Sequence, residues 1–256
     1  MHLLVTNDDG IFSEGIKHLA DALGELGRVT VVAPDRERSA AGHSLTLHRP
    51  LRIRKVREGW FCVDGTPTDC VNLAVHGLLK DDPPDLVVSG INLGLNLGND
   101  VTYSGTVSAT FEANLHGLPG VAFSQELEEG FSFEHSAELA RRLVQAVLEE
   151  DLPKDLILNV NFPAQATGGV RWTHLGKRGY RQTVVEKLDP KGRKYYWIAG
   201  TPEWQREEGT DHEALITGHI SVTPLHLDLT DYHNLERSHL RQALEALPLR
   251  QAAETP

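Results

Sequence analysis

The sequence predicts an α/β fold with a mostly parallel sheet and, toward its carboxyl-terminal end, a β-rich hairpin and helix extension. Three observations carry that prediction. Apolar runs such as Leu3-Leu4-Val5, Val29-Thr30-Val31-Val32-Ala33 and Leu86-Val87-Val88 are continuous, the pattern of strands buried on both faces. Segments with apolar residues at helical spacing lie between them. From about Val170 this alternation gives way to hairpin-like segments. At 256 residues and 40% hydrophobic, the chain can bury one large core. The expected division is a main α/β domain over residues 1–168 and the extension over 169–256, continuous with that domain or serving oligomerisation.

The first strand, Leu3 to Val5, runs out into Asn7-Asp8-Asp9-Gly10 and so sets two adjacent carboxylates at a buried strand's carboxyl end. Ligands of open α/β sheets collect there. Like charges side by side are tolerable mainly where water or a cation screens them. Ser13 to Leu26 is helical, with Ile16, Leu19, Leu23 and Leu26 on one face and Gly27 closing it. Val29 to Ala33 forms the second strand, stopped by Pro34-Asp35, and the polar loop Arg36 to Ser44 follows. Leu51 to Val56 and Trp60 to Val63 are short strands. In Gly65-Thr66-Pro67-Thr68-Asp69, Thr66 is an N-cap, Pro67 takes the first helical position and Asp69 closes the cap. That helix turns Val71, Leu73, Ala74, Leu78 and Leu79 inward until Pro83-Pro84 breaks it.

Asp85 to Ser89 is a further parallel strand, ending in Gly90-Ile91-Asn92. The loop Leu93 to Asp100 repeats glycine and asparagine, which accept left-handed backbone angles and offer side-chain oxygens and amides. Ser104-Gly105-Thr106 leads into a helix with Ala109, Phe111, Ala113 and Leu115 near the core, and its free N–H groups suit an incoming phosphate. Ser104 or Thr106 equally serves as a cap. Gly120 to Ser124 and Leu156 to Val160 are strands flanking an amphipathic helix, Ser136 to Leu148. Thr183 to Gly200 is a hairpin turning at Asp189-Pro190-Lys191-Gly192, Ala214 to Thr223 a strand pair, and His233 to Leu247 a closing helix.

Composition narrows the partners. A net charge of -11, from 25 basic and 36 acidic residues, opposes binding along a nucleic acid. Cys62 and Cys70 make neither a disulfide framework nor a zinc site and read as buried hydrophobes in a reducing compartment. The start lacks a charged leader, and no apolar run reaches the ~20 residues a bilayer requires, so the expectation is a cytoplasmic protein without a membrane partner.

The strand ends assemble a chemistry. Asp8, Asp9, Ser39 and Asn92 offer carboxylate, hydroxyl and amide oxygens, hard donors that select magnesium or manganese, or calcium, over zinc or copper. Asn96, Ser104, Gly105 and Thr106 can hold a phosphate against such a metal. A divalent ion there neutralises oxygen charge and activates water, so phosphoester hydrolysis follows, with Asp8 and Asp9 as the catalytic carboxylates. A sensor that binds a nucleotide and releases it unchanged is the alternative from another class. An aspartyl-phosphate route is the alternative among enzymes, although the two carboxylates are adjacent and lack the Asp-x-Asp spacing usual for it.

Four runs, Asn7-Asp8-Asp9-Gly10, Gly65-Thr66-Pro67-Thr68-Asp69-Cys70-Val71, Pro84 to Asn92 and Tyr103-Ser104-Gly105-Thr106-Val107, resemble the SurE family, the survival proteins E. The resemblance covers nearly the whole chain. It implies a Rossmann-like three-layer α/β/α domain and a divalent-metal-dependent 5′-nucleotidase. It implies one metal per subunit, held by Asp8, Asp9, Ser39 and Asn92, and nucleoside 5′-monophosphates as substrates. Dimers or tetramers built through the carboxyl-terminal part are implied as well. After Ser39 the chain departs from the family pattern, with Ala40-Ala41-Gly42-His43 where Ser-Gly-x-Gly-x-Ser is usual.

Overall fold

The computed structural model describes residues 1–128, 131–150, 153–181, 184–198, 201–235, 241–242 and 245. Two compact units are present, Met1–His226 and Leu227–Pro256. In the first, nine strands make one sheet: β1 (His2–Thr6), β2 (Arg28–Pro34), β3 (Ile53–Arg57), β4 (Trp60–Val63), β5 (Leu86–Leu93), β6 (Gly120–Gln125), β7 (Ile157–Phe162), β8 (Val170–Trp172) and, after four ribbon strands, β13 (Ile220–Leu225). The order is β3-β4-β2-β1-β5-β6-β7-β13-β8. Strands β4 through β7 along this order are parallel, while β3 runs antiparallel to β4 and β13 antiparallel to β7. Two of the nine, β8 and β13, come from beyond residue 168, so part of the carboxyl-terminal segment completes the sheet.

Helices α1 (Glu14–Leu23), α2 (Pro67–Leu73), α3 (Gly105–Leu115) and α4 (Phe133–Leu148) cover both faces. Leu3 and Val5 pack with Ile16, Leu19 and Leu23 of α1 and Ala137, Ala140 and Val144 of α4. Leu4, on the opposite face of the same strand, packs with Cys70 and Val71 of α2 and Ala109 and Ala113 of α3. This two-sided burial is why the run is continuously apolar, each such side chain contributing about 1.5–3 kcal/mol on leaving water. Both cysteines are free and buried.

Several boundaries differ from the sequence expectation. Helix α1 stops at Leu23, because Gly24 takes the cap and Leu26 is held in a following turn by its N–H to Leu23 O. The Thr66 capping box forms as expected, but α2 passes at Ala74 into a π-helical turn, Ala74–Leu78. Strand β5 continues to Leu93 instead of ending at Ser89, with a register shift between Ser89 and Asn92 that re-aims the chain. Gly90 makes that bulge possible: its φ is +132° and a Cβ there would lie 2.4 Å from Phe123 O. The strand pair expected over Ala214 to Thr223 is instead a helix, α5 (Asp211–Ile216), followed by β13. Thr210 caps it by accepting from the Glu213 N–H at 3.2 Å, and Ala214 and Leu215 are buried at helical spacing.

The expected hairpin is present as β10 (Val184–Leu188) antiparallel to β11 (Lys194–Ile198), next to a second ribbon of β9 (Arg178–Arg181) and β12 (Thr201–Trp204). Every residue of β10 and β11 is exposed. In the second unit, α6 (Tyr232–Leu235) begins where the closing helix was expected. Most of that expected helix, residues 236–240, 243–244 and 246–247, lies outside the described residues.

Candidate active site

The carboxyl ends of β1, β2 and β5 open onto a cavity of about 890 Å³, a size suited to a small-molecule ligand. Asp8, Asp9, Ser39 and Asn92 line it together, as do Asn96 and Ser104. Gly105 and Thr106 are not part of the lining; they stand behind Asp8. Three loops from distant parts of the sequence therefore bring together what the strand ends promised.

Asn7 shapes the first loop. Its Nδ2 donates to Gly10 O at 3.0 Å and to Ser13 Oγ at 2.8 Å, and its Oδ1 accepts from the Gly10 N–H at 3.2 Å. The turn that results presents Asp8 and Asp9 to the cavity. Asp8 is buried, and its carboxylate accepts from the Thr106 hydroxyl. Burial raises the Asp8 carboxyl above its ordinary value, while hydrogen bonds from the Thr106 hydroxyl and from backbone N–H groups of Asp8 and Thr106 pull it back. Burial and then the neighbouring Asp8 charge push Asp9 up to about 6, against a hydrogen bond from the Leu93 backbone. A pair of carboxylates pushed up in this way is short of positive charge.

The remaining oxygens surround the pair. Ser39 is exposed and donates its hydroxyl to Glu37 Oε1 at 2.6 Å. Asn92 gives its Nδ2 to Gly94 O at 2.7 Å, and its Oδ1 is the acceptor end of the same amide. Asn96 is locked from four directions. Its N–H donates to Asn161 Oδ1 at 2.9 Å, its carbonyl accepts from Asn159 and Asn161 at 2.8 and 3.1 Å, and its Nδ2 donates to Ser124 at 2.8 Å. Ser104 caps α3 by accepting from the Val107 N–H at 3.1 Å.

Seven lining residues are not among the site residues expected from the sequence: the polar Glu37, Asp100 and Tyr103, and the apolar Ala40, Leu93, Leu95 and Ile198. Glu37 stands two positions from Ser39, and that proximity was its available signal; Asp100 and Tyr103 reach the wall through the 3₁₀ turn Gly98–Thr102. Four carboxylates thus line the cavity, with no lysine, arginine or histidine among the described lining residues, and one of the four, Asp100, is paired with Arg178. Among the described residues no cluster of three or more His, Cys, Asp or Glu side chains is placed to hold a metal. A cation here would rest on Asp8 and Asp9 with the Ser39 hydroxyl and the Asn92 amide oxygen, a donor set that fits magnesium or manganese, which bind few carboxylates and keep water.

The chain is similar to known proteins over most of its length. A protein described as 5′-nucleotidase SurE from Syntrophotalea carbinolica is 57% identical over 239 residues, 92% of this chain and 95% of that protein. One of the same description from Geobacter sulfurreducens is 55% identical over 240 residues, 92% of this chain and 91% of its own length. The crystal structure of the Sure protein from Aquifex aeolicus matches with a TM-score of 0.85 at 47% identity, covering 94% of this chain and all of that one. The family model for survival protein SurE matches residues 3–182, so the chain belongs to the SurE family.

Proposed function

We propose that this chain is a phosphomonoesterase that hydrolyses nucleoside 5′-monophosphates to nucleoside and phosphate, using one divalent cation, magnesium or manganese, per subunit. The 5′-nucleotidase relatives support the reaction. The charge of the cavity carries the metal dependence: Asp8, Asp9 and Glu37 line it with no basic residue among the described lining residues, and Asp100, which also lines it, is already paired with Arg178, so a phosphate dianion needs a cation to enter. When bound, the ion supplies Lewis acidity, offsetting charge on the phosphate and acidifying water.

The chain's own residues hold and orient. Asp8, Asp9, Ser39 and Asn92 would hold the ion. Asn96 and Ser104 stand on the wall where the phosphate would meet it, with Gly105 and Thr106 behind them at the start of α3. Leu93, Leu95, Tyr103 and Ile198 give the cavity an apolar side for the nucleoside. Thr106 holds the buried Asp8 carboxylate, which supports a ligand role for Asp8 over nucleophilic attack. We also place the protein in the cytoplasm, as its free buried thiols suit a reducing compartment. No helix among the described residues is long and apolar enough to cross a membrane. A dimer or tetramer is the proposed assembly, because the exposed β10–β11 ribbon is marginal alone.

Phosphate release from nucleoside 5′-monophosphates, pyrophosphate and p-nitrophenyl phosphate, with and without EDTA, tests the reading. EDTA should abolish release and Mn²⁺ or Mg²⁺ restore it. Full turnover by verified metal-free protein would refute the metal dependence, and nucleotide binding without release would favour a sensor.

A further inference from the structure

Glu112 lies two turns into α3, buried, and is not among the cavity's lining residues. An ionised carboxylate is tolerated there only if it is paired and hydrogen-bonded. Glu112 has three donors: Asn72 Nδ2 at 2.8 Å, His43 Nε2 at 2.9 Å and His116 Nε2 at 3.0 Å. Burial alone would raise its pKa, but these hydrogen bonds, with the His116 charge, outweigh burial and bring it to about 2. Asn72 and His116 belong to the α2–α3 layer. His43 belongs to the loop that carries Ser39.

That loop is held at separate points along its length. Ser39 makes its hydrogen bond within the loop, to Glu37, so its position depends on tethers to either side. On the amino-terminal side the Arg38 N–H donates to Asp8 O at 2.7 Å and Arg38 Nη2 donates to Asp64 O at 3.1 Å. On the other side the Gly42 N–H donates to Tyr103 O at 3.1 Å, the His43 imidazole reaches Glu112 with its ring edge-on to Phe111 at 6.0 Å between centroids, and Ser44 O accepts from the Thr66 hydroxyl at 2.7 Å. Between these tethers Ala40 adopts φ +56°, a conformation that a residue with a Cβ resists. The loop keeps this shape against a local preference to relax. Helix α3 meanwhile holds Asp8 through Thr106 in its first turn. One rigid helix therefore fixes a carboxylate at one point and the serine loop, through His43, six residues further on.

We propose that Glu112, acting through His43, is a positioning residue that sets the Ser39 hydroxyl relative to Asp8 at the spacing a divalent cation requires. The inference rests on the metal reading given above, and partners of this outer kind orient ligands without touching the ion.

Calorimetric titration of the intact protein with Mn²⁺ alone tests it, using wild type, Ser39→Ala, His43→Ala, the double variant, His43→Gln and His76→Ala. Ser39→Ala and His43→Ala should each weaken Mn²⁺ binding about tenfold. The double variant should be no weaker than Ser39→Ala, since a misplaced serine and an absent one are equivalent. His43→Gln, which keeps a donor toward Glu112, should recover most of the affinity. His76→Ala removes only the 3.0 Å contact to the far side of His116 and should leave binding unchanged. Should His43→Ala fail to fold, His43→Asn, too short to reach Glu112, carries the same expectation. A His43→Ala protein with a lower melting temperature but wild-type Mn²⁺ affinity would overturn the proposal and leave the metal reading intact, as would additive losses in the double variant. Absence of Mn²⁺ binding by wild type, or no effect of Ser39→Ala, would overturn both.

Discussion

Thr106 and Asp8 lie 98 positions apart in the chain, yet the Thr106 hydroxyl donates to the Asp8 carboxylate in the buried floor of the cavity. The Thr106 backbone also favours the charged form of that carboxylate, opposing the rise that burial causes. The start of α3 thereby serves the first strand's aspartate directly, and the candidate phosphate segment and the candidate metal ligand form one assembly. Thr106→Val keeps the shape and removes the hydroxyl donor. It should cost about 1–3 kcal/mol of stability, because Asp8 remains buried with one partner fewer. Activity at limiting Mn²⁺ should fall about tenfold, and Thr106→Ser should restore both. Denaturant midpoints and kcat/KM against Mn²⁺ concentration decide it, and a Val variant equal to wild type would refute the assignment.

The two kinds of oxygen donor should differ in weight. Asp8→Asn removes charge as well as a ligand and should lower kcat/KM by about 100-fold, whereas Ser39→Ala should cost about tenfold. Excess Mn²⁺ should rescue the serine variant more fully than the aspartate variant. Equal losses in steady-state assays would mean that the hierarchy is wrong.

Gly105 should resist substitution for a reason of space. A Cβ there would meet Asp8 Cβ at 2.8 Å and Asp8 Oδ2 at 2.9 Å, inside the contact distance of real side chains. Gly105→Ala should destabilise the protein by about 1–3 kcal/mol and displace Asp8, weakening Mn²⁺ binding as well as turnover. Calorimetry of the variant is the check; unchanged metal affinity would show that Asp8 accommodates the methyl group.

The Glu112 cluster predicts a pH dependence. Its folded pKa, about 2, lies below the ordinary 4.5, so the folded state binds that proton less readily than the unfolded one. Its contribution is therefore present in full above about pH 4.5 and is lost as pH falls toward 2, amounting to about 3 kcal/mol at most. Urea titrations at pH 7 and pH 3 should show wild type losing more stability between the two than Glu112→Gln, which lacks the titrating group. Parallel losses would remove Glu112 as the cause.

The β10–β11 ribbon predicts association. Trp197 is 62% exposed and Ile198 94% exposed in the single chain, aromatic and aliphatic area of the kind that interfaces cover. Trp197→Glu with Ile198→Asp should shift the sedimentation equilibrium of the chain toward monomer at micromolar concentration while the main unit keeps its circular dichroism. A wild-type chain that is already monomeric would refute the proposal.

The alternation of strands and helices was legible because burial on both faces leaves a local signature. Leu3 and Leu4 face opposite helix layers, and each had to be apolar. The capping box at Thr66 was legible for the same reason, since all of its partners lie within four residues. The α5 helix was not, because its short consecutive apolar run, Ala214-Leu215-Ile216, is compatible with a strand until Thr210 is seen to cap it. The bulge at Gly90 also escaped notice, as it answers to Phe123 on a neighbouring strand.

For the candidate site, the sequence by itself singled out four residues that line one cavity but not Glu37, Asp100 or Tyr103 beside them. Asp8, Asp9, Ser39 and Asn92 stand at or just beyond strand ends, and a parallel sheet brings its strand ends to one edge. Tertiary structure alone decided the side-chain pairings around them. Thr106 turns to Asp8, Asn96 is fixed by Asn159 and Asn161 from β7, and His43 finds Glu112 across 69 positions of chain. Such pairings depend on which distant segment packs against a given side chain, and no spacing along the chain encodes that distance, because burial selects residue types locally while hydrogen bonds join partners that only the completed fold makes neighbours.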